Sequence, residues 1–191
     1  AKWIAKQDFD GVSIGGSFGT SPLWSESNTD TVETEWASTK SIEQTMSWVT
    51  PLLPDSWPRH ALGIGEVVDF FLCIEKGVDM FDCVIPTRNG RTGSAFTSQG
   101  KLNIRNAKFA TDSGPLDPEC GCSVCRRYSL GYLRHLYQSG EMTASIMISH
   151  HNVAFFLETM RKTREAIKES RFQAFRTEFT YKLKQNETSG V

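Results

Sequence analysis

Hydrophobic and polar positions in the first half of the chain follow two different periods. Short apolar runs bounded by turn residues predict strands at residues 10–16, 59–65 and 78–84. Between these runs, apolar residues at helical spacing predict helices at 42–53 and 67–75. An order of strand, helix, strand, helix, strand requires crossovers between parallel strands, so we predict an α/β fold with a parallel sheet covered by helices.

The second half of the chain shows a different pattern. After Pro86 the periodicity gives way to polar turns, and helical spacing returns only beyond a cluster of cysteines. The predicted elements here are a hairpin at 96–102, helices at 125–139, 151–170 and 171–183, a short apolar stretch at 144–148 and a frayed end from 184. The change of pattern divides the chain into residues 1–92 and an appendage, residues 93–191.

Residues 19–40 interrupt the first half. They are rich in Ser, Thr and acidic residues and show little periodicity, so we interpret them as a flexible insertion. The insertion follows the predicted carboxyl end of a strand, where α/β proteins collect their chemistry. A disordered loop and a lid over a site both remain open interpretations.

Composition limits the class of protein. The chain has 191 residues, of which 39% are hydrophobic and 23% charged, enough to bury a core. No apolar run approaches the roughly 18 residues of a membrane helix, and the first residues lack the features of a secretory signal. We therefore expect a cytoplasmic protein with no membrane partner.

Charge is distributed unevenly along the chain. Residues 1–100 contain 7 Lys and Arg against 13 Asp and Glu, whereas residues 101–191 contain 14 against 9. A basic second half suits the phosphates of a nucleic acid, although an ordinary solvated helix surface explains it equally well. The basic residues nearest the cysteine cluster are Arg105, Lys108, Arg126, Arg127 and Arg134.

The cysteine cluster predicts a metal site. Cys120, Cys122 and Cys125 lie within six positions, and thiolates at this spacing together with one imidazole typically form a closed, structural zinc site. His150 and His151 both qualify as the fourth ligand, but neighbours on a helix point about 100° apart, so only one can reach the ion. The alternative is a group of reduced thiols in the core.

Asp82 is the candidate for catalysis. Strand alternation places it on one face of the third strand and Asp79 on the other, which makes Asp79 a structural residue. A carboxylate among apolar neighbours can act as a covalent nucleophile at an anomeric carbon, with Arg88 and Arg91 holding the flanking phosphates of a polynucleotide. A salt-bridged aspartate at a strand end is the alternative.

The surrounding sequence carries a family resemblance. GVDMFDCVIPTRNGRTGSAFT closely resembles the active-site segment of tRNA-guanine transglycosylases, and CGCSVC with HHN resembles their zinc site. The resemblance implies the last three strand-helix units of a (β/α)8 TIM barrel, with an inserted zinc-binding subdomain and C-terminal helices. It also implies His151 as the fourth ligand of a structural Zn²⁺. Further similarity lies in DGVSIGGS, LGIG, NIRNAKF and PLDPEC.

The resemblance implies a specific reaction. In this family the aspartate at the Asp82 position attacks C1′ of the wobble guanosine in the tRNA anticodon loop and forms a covalent intermediate while guanine leaves. A 7-substituted 7-deazaguanine then displaces the enzyme, as in the queuosine pathway. Arg88 and Arg91 match residues that bind the anticodon loop.

The same resemblance implies a pocket for the base. Gly15 and Gly16 match positions where backbone amides approach the base, which requires the absence of a Cβ. Leu62 and Gly63 match the opposite wall. The two residues after the glycine pair depart from the family pattern, which leaves open whether the incoming base is 7-aminomethyl-7-deazaguanine or queuine.

The chain is short for a whole enzyme of this family. A (β/α)8 barrel takes about 250 residues, and the family's second catalytic aspartate and main base-binding carboxylate belong to segments absent here. We therefore expect a carboxyl-terminal portion that is inactive alone and that oligomerises, as a homodimer or with a partner chain that completes the barrel. The alternatives are a non-catalytic, zinc-containing tRNA-binding or partner subunit and a free-standing zinc ribbon that binds RNA.

Overall fold

The computed structural model of the protein describes the backbone of residues 1–15 and 34–187, with side chains described outside 34–41 and 184–187. The chain forms two compact units, Ala1–Cys83 and Val84–Val191. The domain boundary predicted after residue 92 stays a prediction. Within the described residues, no helix combines the length and apolarity needed to cross a bilayer.

The first unit contains a parallel sheet of three strands in the order β1-β2-β3. The predicted α/β class, the order of elements and the parallel pairing are therefore confirmed. The elements are a 3₁₀ turn at Ile4–Lys6, β1 (Val12–Ile14), α1 (Thr34–Val49), a 3₁₀ turn at Thr50–Leu52, β2 (Arg59–Leu62), α2 (Val67–Glu75) and β3 (Met80–Asp82).

The two faces of this sheet differ in exposure. On one face, Ala61 is fully buried and Phe81 packs its ring 4.7 Å from that of Phe70 on α2. On the other face, His60 pairs in register with Met80, and Leu62 pairs with Asp82. Leu62 and Met80 are both more than 40% exposed, so this second face is open within the unit.

Several boundaries in the first unit differ from the prediction. All three strands are shorter than predicted because pairing covers only three or four residues of each. The first helix begins at Thr34, so residues 34–40 of the predicted insertion are helical, and residues 19–33 lie outside the described part of the chain. The same helix ends at Val49, where Pro51 lies in the first turn of the following 3₁₀ segment and cannot continue an α-helical ladder.

The second unit combines helices with a two-stranded antiparallel hairpin. The hairpin confirms the prediction, with Gly100 at a φ of 103° following a two-residue turn. The core of the second unit lies between the hairpin and the helices and includes Ile104, Leu133 and Ile148. The elements are α3 (Ile85–Arg91), β4 (Ser94–Thr97), β5 (Gly100–Asn103), a 3₁₀ turn at Ala107–Phe109, α4 (Leu130–Gln138), α5 (Met142–Lys168) and α6 (Phe172–Glu187).

The bounds of three helices in this unit differ from the prediction. Residues 85–91 form a helix and not polar turns, since Pro86 lies in its first turn, where a missing N–H costs nothing. The fourth helix begins at Leu130, later than predicted, because the Ser129 side chain caps it by accepting from the Tyr132 amide. The apolar stretch at 144–148 and the predicted helix after it form one continuous helix, α5.

Candidate active site and metal centre

Asp82 ends β3 on the open face of the sheet. Its side chain is 61% exposed, and its Oδ1 lies 3.1 Å from Nε2 of His60. The backbone N–H of Gly63 donates to the same oxygen at 3.4 Å. At this distance a protonated His60 forms an ion pair with Oδ1, whereas Oδ2 has no hydrogen-bond partner within the described residues. The alternative, an aspartate held by a strand-end salt bridge, stays open, because His60 is such a partner when it is protonated. Within the described residues no arginine or lysine pairs with Asp82.

Asp79 plays the structural part expected of it. Its carboxylate accepts a hydrogen bond from the backbone N–H of Arg59 at 2.9 Å, and its own N–H donates to the Arg59 carbonyl at 2.8 Å. These bonds continue the pairing of β2 and β3 by one residue. The two neighbouring carboxylates therefore have separate environments.

The residues assigned to a base pocket lie at the carboxyl ends of adjacent strands. A Cβ on Gly15 would lie 2.9 Å from Cδ1 of Leu62, so the two residues are already in contact without one. Gly63 adopts a φ of +74° and borders open space. Leu62 is in register with Asp82, and the Gly63 N–H donates to it, so two of the four predicted pocket residues lie beside the carboxylate, and Gly15 contacts Leu62 from the other side of β2. Gly16 lies outside the described residues.

His60 is a site residue that sequence reasoning missed. It lies two residues before Leu62 on β2, and strand alternation places it on the same face as Asp82. That signal was present in the sequence. A histidine on a strand nevertheless gives no indication of its partner until the strand register is known.

Arg88 and Arg91 lie on α3, three positions apart. Both side chains are exposed, and within the described residues neither guanidinium has a hydrogen bond or ion pair. Residues at this spacing share one side of a helix. The helix thus presents two cations to solvent.

The four predicted zinc ligands lie together in the second unit. One ligand atom from each of Cys120, Cys122, Cys125 and His151 lies within 4.8 Å of the others. A tetrahedral site with Zn–S bonds of 2.3 Å separates its ligand atoms by about 3.8 Å. The sulfur atoms of Cys122 and Cys125 are 3.7 and 3.3 Å from Nδ1 of His151. The geometry and the donor types therefore fit a structural zinc ion.

The two adjacent histidines have different orientations. His151 is fully buried, and its Nε2 lies 2.8 Å from the carbonyl oxygen of Phe96. This bond places the ring proton on Nε2 and leaves the Nδ1 lone pair facing the sulfur atoms. His150 instead lies with Nε2 3.1 Å from the Ser123 hydroxyl. The structure thus groups His151 with the cysteines and separates His150 from them.

Burial shifts the protonation of these ligands. Desolvation raises the pKa of the Cys120 and Cys125 thiols and lowers the pKa of the His151 imidazole. In the metal-free protein both effects favour neutral groups. A divalent cation binds the deprotonated thiolates and must displace their protons, so metal binding is coupled to proton release.

Asp117 joins the hairpin to the cysteine cluster. Its buried carboxylate accepts from the backbone N–H and hydroxyl of Ser98, at 2.9 and 2.7 Å, and from the N–H of Glu119 at 3.0 Å. Its carbonyl accepts from the Cys120 amide at 3.1 Å. The hydrogen bonds of Asp117 therefore fix the turn that positions Cys120.

These features define a class of protein: a parallel α/β unit with an accessible acid at its strand ends, followed by a Cys₃His centre of the structural zinc type. Comparison with known proteins narrows the class. The family model described as queuine tRNA-ribosyltransferase matches residues 1–185. The chain belongs to this family, which confirms the resemblance seen in the sequence.

Individual relatives support the same assignment. Queuine tRNA-ribosyltransferases of Sphingopyxis alaskensis and Zymomonas mobilis are 51% and 45% identical, over 66% and 70% of this chain but only 34% and 35% of theirs. That of Thermodesulfovibrio yellowstonii is 39% identical over 96% of this chain and 44% of its own length. The chain thus spans between a third and a half of the length of these relatives.

Proposed function

We propose that this chain supplies the nucleophile and the zinc centre of a tRNA-guanine transglycosylase. Such an enzyme exchanges the wobble guanine of a tRNA for a 7-substituted 7-deazaguanine in the queuosine pathway. The observation that carries the proposal is the exposed Asp82 carboxylate, held at one oxygen and open at the other, in a chain of this family. In the complete enzyme, the first unit contributes the strands of the last three strand-helix units of a (β/α)8 barrel, and the zinc-bearing segment is inserted after them.

Asp82 is the nucleophile of a double displacement. Its free oxygen forms a bond to C1′ of the wobble ribose as the bond from C1′ to the guanine nitrogen breaks, and guanine takes the electron pair. The departing guanine takes up a proton from solvent, the incoming base gives its ring N–H proton to solvent, and this base then attacks the same carbon and releases the carboxylate, so that the exchange consumes no net proton. Two inversions at one carbon retain its configuration, as in a retaining glycosidase with a heterocyclic amine in place of water.

The neighbours of Asp82 hold the reactants. His60 and the Gly63 N–H fix the orientation of the carboxylate through Oδ1. Leu62 lies beside it, and Gly15 contacts Leu62 from β1, so that the two residues would form part of one wall against which a planar base packs. A wobble base becomes accessible here once it is unstacked from a single-stranded loop.

Arg88 and Arg91 bind phosphates of the anticodon loop. Both are exposed and without a protein partner within the described residues, so no ion pair competes with RNA. Phosphate binding is largely charge neutralisation with release of counterions. The two arginines therefore contribute affinity and orientation, whereas Asp82 contributes chemistry.

The role of the metal centre in this proposal is structural. Cys120, Cys122, Cys125 and His151 would hold Zn²⁺ in a closed site without an open position for a reactant. When bound, the ion contributes folding free energy to the second unit. No step of the proposed exchange involves it.

The direct test uses a full-length protein that contains this chain. We expect incorporation of radiolabelled guanine into unmodified tRNA, and we expect Asp82→Asn to abolish it. Asp82→Ala should still bind tRNA, because phosphate contacts dominate affinity. Guanine exchange that persists in the Asp82→Asn protein would remove this residue from the mechanism.

We also propose that the 191-residue chain is inactive by itself. By family resemblance, the second catalytic aspartate and the main base-binding carboxylate come from segments it does not contain. We expect guanine exchange only when the barrel is complete. The active assembly would be a homodimer or a complex with a partner chain. Mixing it with a separately expressed amino-terminal portion should restore exchange. Failure to restore exchange with both portions folded would favour a non-catalytic, zinc-containing partner subunit.

A further inference from the structure

Helix α3, which carries the two proposed RNA-binding arginines, would be unstable in isolation. It has seven residues, Ile85–Arg91, and includes Pro86, Asn89 and Gly90. Isolated helices this short are unstable in water, and Gly and Asn are weak helix formers. The direction in which Arg88 and Arg91 point must therefore be set by what α3 packs against.

Its main neighbour in the second unit is α5, which contacts it through a row of polar side chains. Ser145 Oγ lies 3.4 Å from the Arg91 carbonyl oxygen, and Ser149 Oγ lies 3.3 Å from that of Thr87. Asn152 Nδ2 donates to the Pro86 carbonyl at 2.9 Å. The three donors are spaced four and three residues apart, which places them on one face of the helix. We call Ser145, Ser149 and Asn152 the polar row.

Asn152 uses its amide group completely. Besides Pro86, it donates to the Ser94 carbonyl at 3.0 Å and accepts from the Phe96 amide at 2.9 Å. The side chain is fully buried. One residue thus joins α3 and β4 to α5, and its loss would remove a hydrogen-bond partner from three backbone groups in the core.

The packing between the two helices is too close for ordinary side chains. A Cβ on Gly90 would lie 2.3 Å from Ser149 Oγ and 2.6 Å from its Cα. The backbones therefore approach each other directly at this point. A contact of this kind leaves α3 little freedom to roll or slide.

We propose that the polar row is the positioning device of the RNA-binding helix: it sets the orientation in which α3 presents Arg88 and Arg91 to the phosphates of the anticodon loop. This proposal rests on the proposed function. Asn152 is its central residue and is a positioning residue, since it acts through the arginines and touches no RNA. The polar row therefore affects RNA affinity only indirectly, through the orientation of α3.

The test measures binding of an anticodon stem-loop RNA by the full-length protein over a range of salt concentrations. Replacing both arginines, Arg88→Ala with Arg91→Ala, should weaken binding and lower the slope of log K against log salt by about 1.4, the value for two contacts to a single strand. Asn152→Ala should weaken binding by about 3- to 10-fold and lower the slope in the same direction. In the background without the two arginines, Asn152→Ala should cause no further loss.

A matched control separates positioning from stability. Thr163 is a buried residue of α5 whose hydroxyl donates to Thr159 of the same helix at 2.7 Å. We expect Thr163→Val to lower stability without changing RNA affinity or the salt slope. If Asn152→Ala does not fold, Ser145→Ala with Ser149→Ala leaves the core amide intact and enters the same cycle. Zinc content, measured in every variant, identifies proteins that have kept the metal centre.

Each outcome has a distinct meaning. Loss of affinity from Asn152→Ala that persists after the arginines are removed would overturn the positioning role, because the residue would then act elsewhere. Unchanged affinity in a folded, zinc-loaded Asn152→Ala protein would overturn it as well, while leaving the arginines as RNA contacts. If removing the arginines has no effect, the RNA-binding part of the proposed function fails, and the positioning role fails with it.

Discussion

At the scale of single residues, the proposed role of Asp82 depends on which of its two carboxylate oxygens is in contact with protein groups. Oδ1 of Asp82 lies 3.1 Å from Nε2 of His60 and accepts a hydrogen bond from the Gly63 backbone N–H at 3.4 Å. A carboxylate held at one oxygen keeps the other aimed, which lowers the entropy lost on reaching the reactive geometry. His60 would therefore affect the rate of the reaction more than the binding of tRNA.

A pair of substitutions at His60 tests this role. In the full-length protein we expect His60→Ala to lower kcat about tenfold and to leave the KM for tRNA nearly unchanged, because the RNA contacts lie elsewhere. His60→Gln retains an N–H donor at similar reach and should recover part of kcat. Steady-state guanine exchange measures both values. A rise in KM at constant kcat would instead place His60 in substrate binding.

Cys73 and Asp82 differ in their exposure to solvent: the Asp82 side chain is exposed, whereas Cys73 is buried. It is fully buried on α2, and burial, with a smaller contribution from Asp69, raises the pKa of its thiol to about 12. Thiolates and not thiols react with alkylating agents. We expect iodoacetamide at pH 8 to leave Cys73 unmodified in the native protein and to label it after denaturation, as read by peptide mass spectrometry. The half-buried Cys83 is the internal comparison, and equal labelling of the two would contradict the assignment.

The site residues also show what sequence alone can reveal. Cys120, Cys122 and Cys125 are close in the chain, so their spacing predicts a metal site before any fold is known. The choice between His150 and His151 required the direction of each ring, which depends on the Phe96 carbonyl far away in sequence. His60 likewise became a site residue only through the register of β2 with β3.

At the scale of elements, local sequence predicted well where one segment formed its own pattern. The second helix, Val67–Glu75, begins and ends where its apolar period and the following Gly77 indicated. Helix α3 was missed because Pro86, Asn89 and Gly90 are poor helix formers, and its shape depends on packing against α5. Tertiary contacts overrode local propensity at that segment.

Gly77 marks the point where α2 turns toward β3. Its φ is +86°, and a Cβ there would lie 2.6 Å from Nη1 of Arg59, which donates to the Gly77 carbonyl at 3.2 Å. We expect Gly77→Ala to lower the free energy of unfolding by about 1 to 3 kcal/mol, through backbone strain and displacement of the guanidinium. Urea denaturation measures the change.

Gly121→Ala serves as the matched control for Gly77. That glycine has open space around the Cβ position and no left-handed φ, so its substitution should change stability by less than about 0.5 kcal/mol. Equal losses at the two sites would show that the Gly77 turn is not the cause. Zinc content confirms that the control variant keeps its metal centre.

At the scale of the whole molecule, the two compact units carry different parts of the proposed function. Asp82, the proposed nucleophile, lies in the first unit, and the proposed RNA-binding arginines and the candidate zinc ligands lie in the second. The metal ligands are joined to the hairpin through the Phe96 carbonyl and the Asp117 carboxylate. The stability of the second unit should therefore depend on the metal, whereas that of the first should not.

Adjacent histidines provide the sharpest test of this dependence. We expect His151→Ala to lose stoichiometric zinc and to unfold the segment around the cysteine cluster, because structural zinc sites contribute on the order of 10 kcal/mol. His150→Ala, one position away and directed at Ser123, should keep its zinc and its melting temperature. Elemental analysis gives the zinc content, and hydrogen exchange locates the unfolded segment.

The same pair separates two explanations of a loss of stability. Buried His151 also bonds to Phe96, so its removal costs packing and a hydrogen bond even without metal. A chelator applied to the wild-type protein removes the metal alone and should reproduce most of the effect of His151→Ala on hydrogen exchange in residues 93–168. If chelation leaves exchange unchanged while His151→Ala raises it, the histidine stabilises the fold by packing, and the Cys₃His cluster is not a structural zinc site.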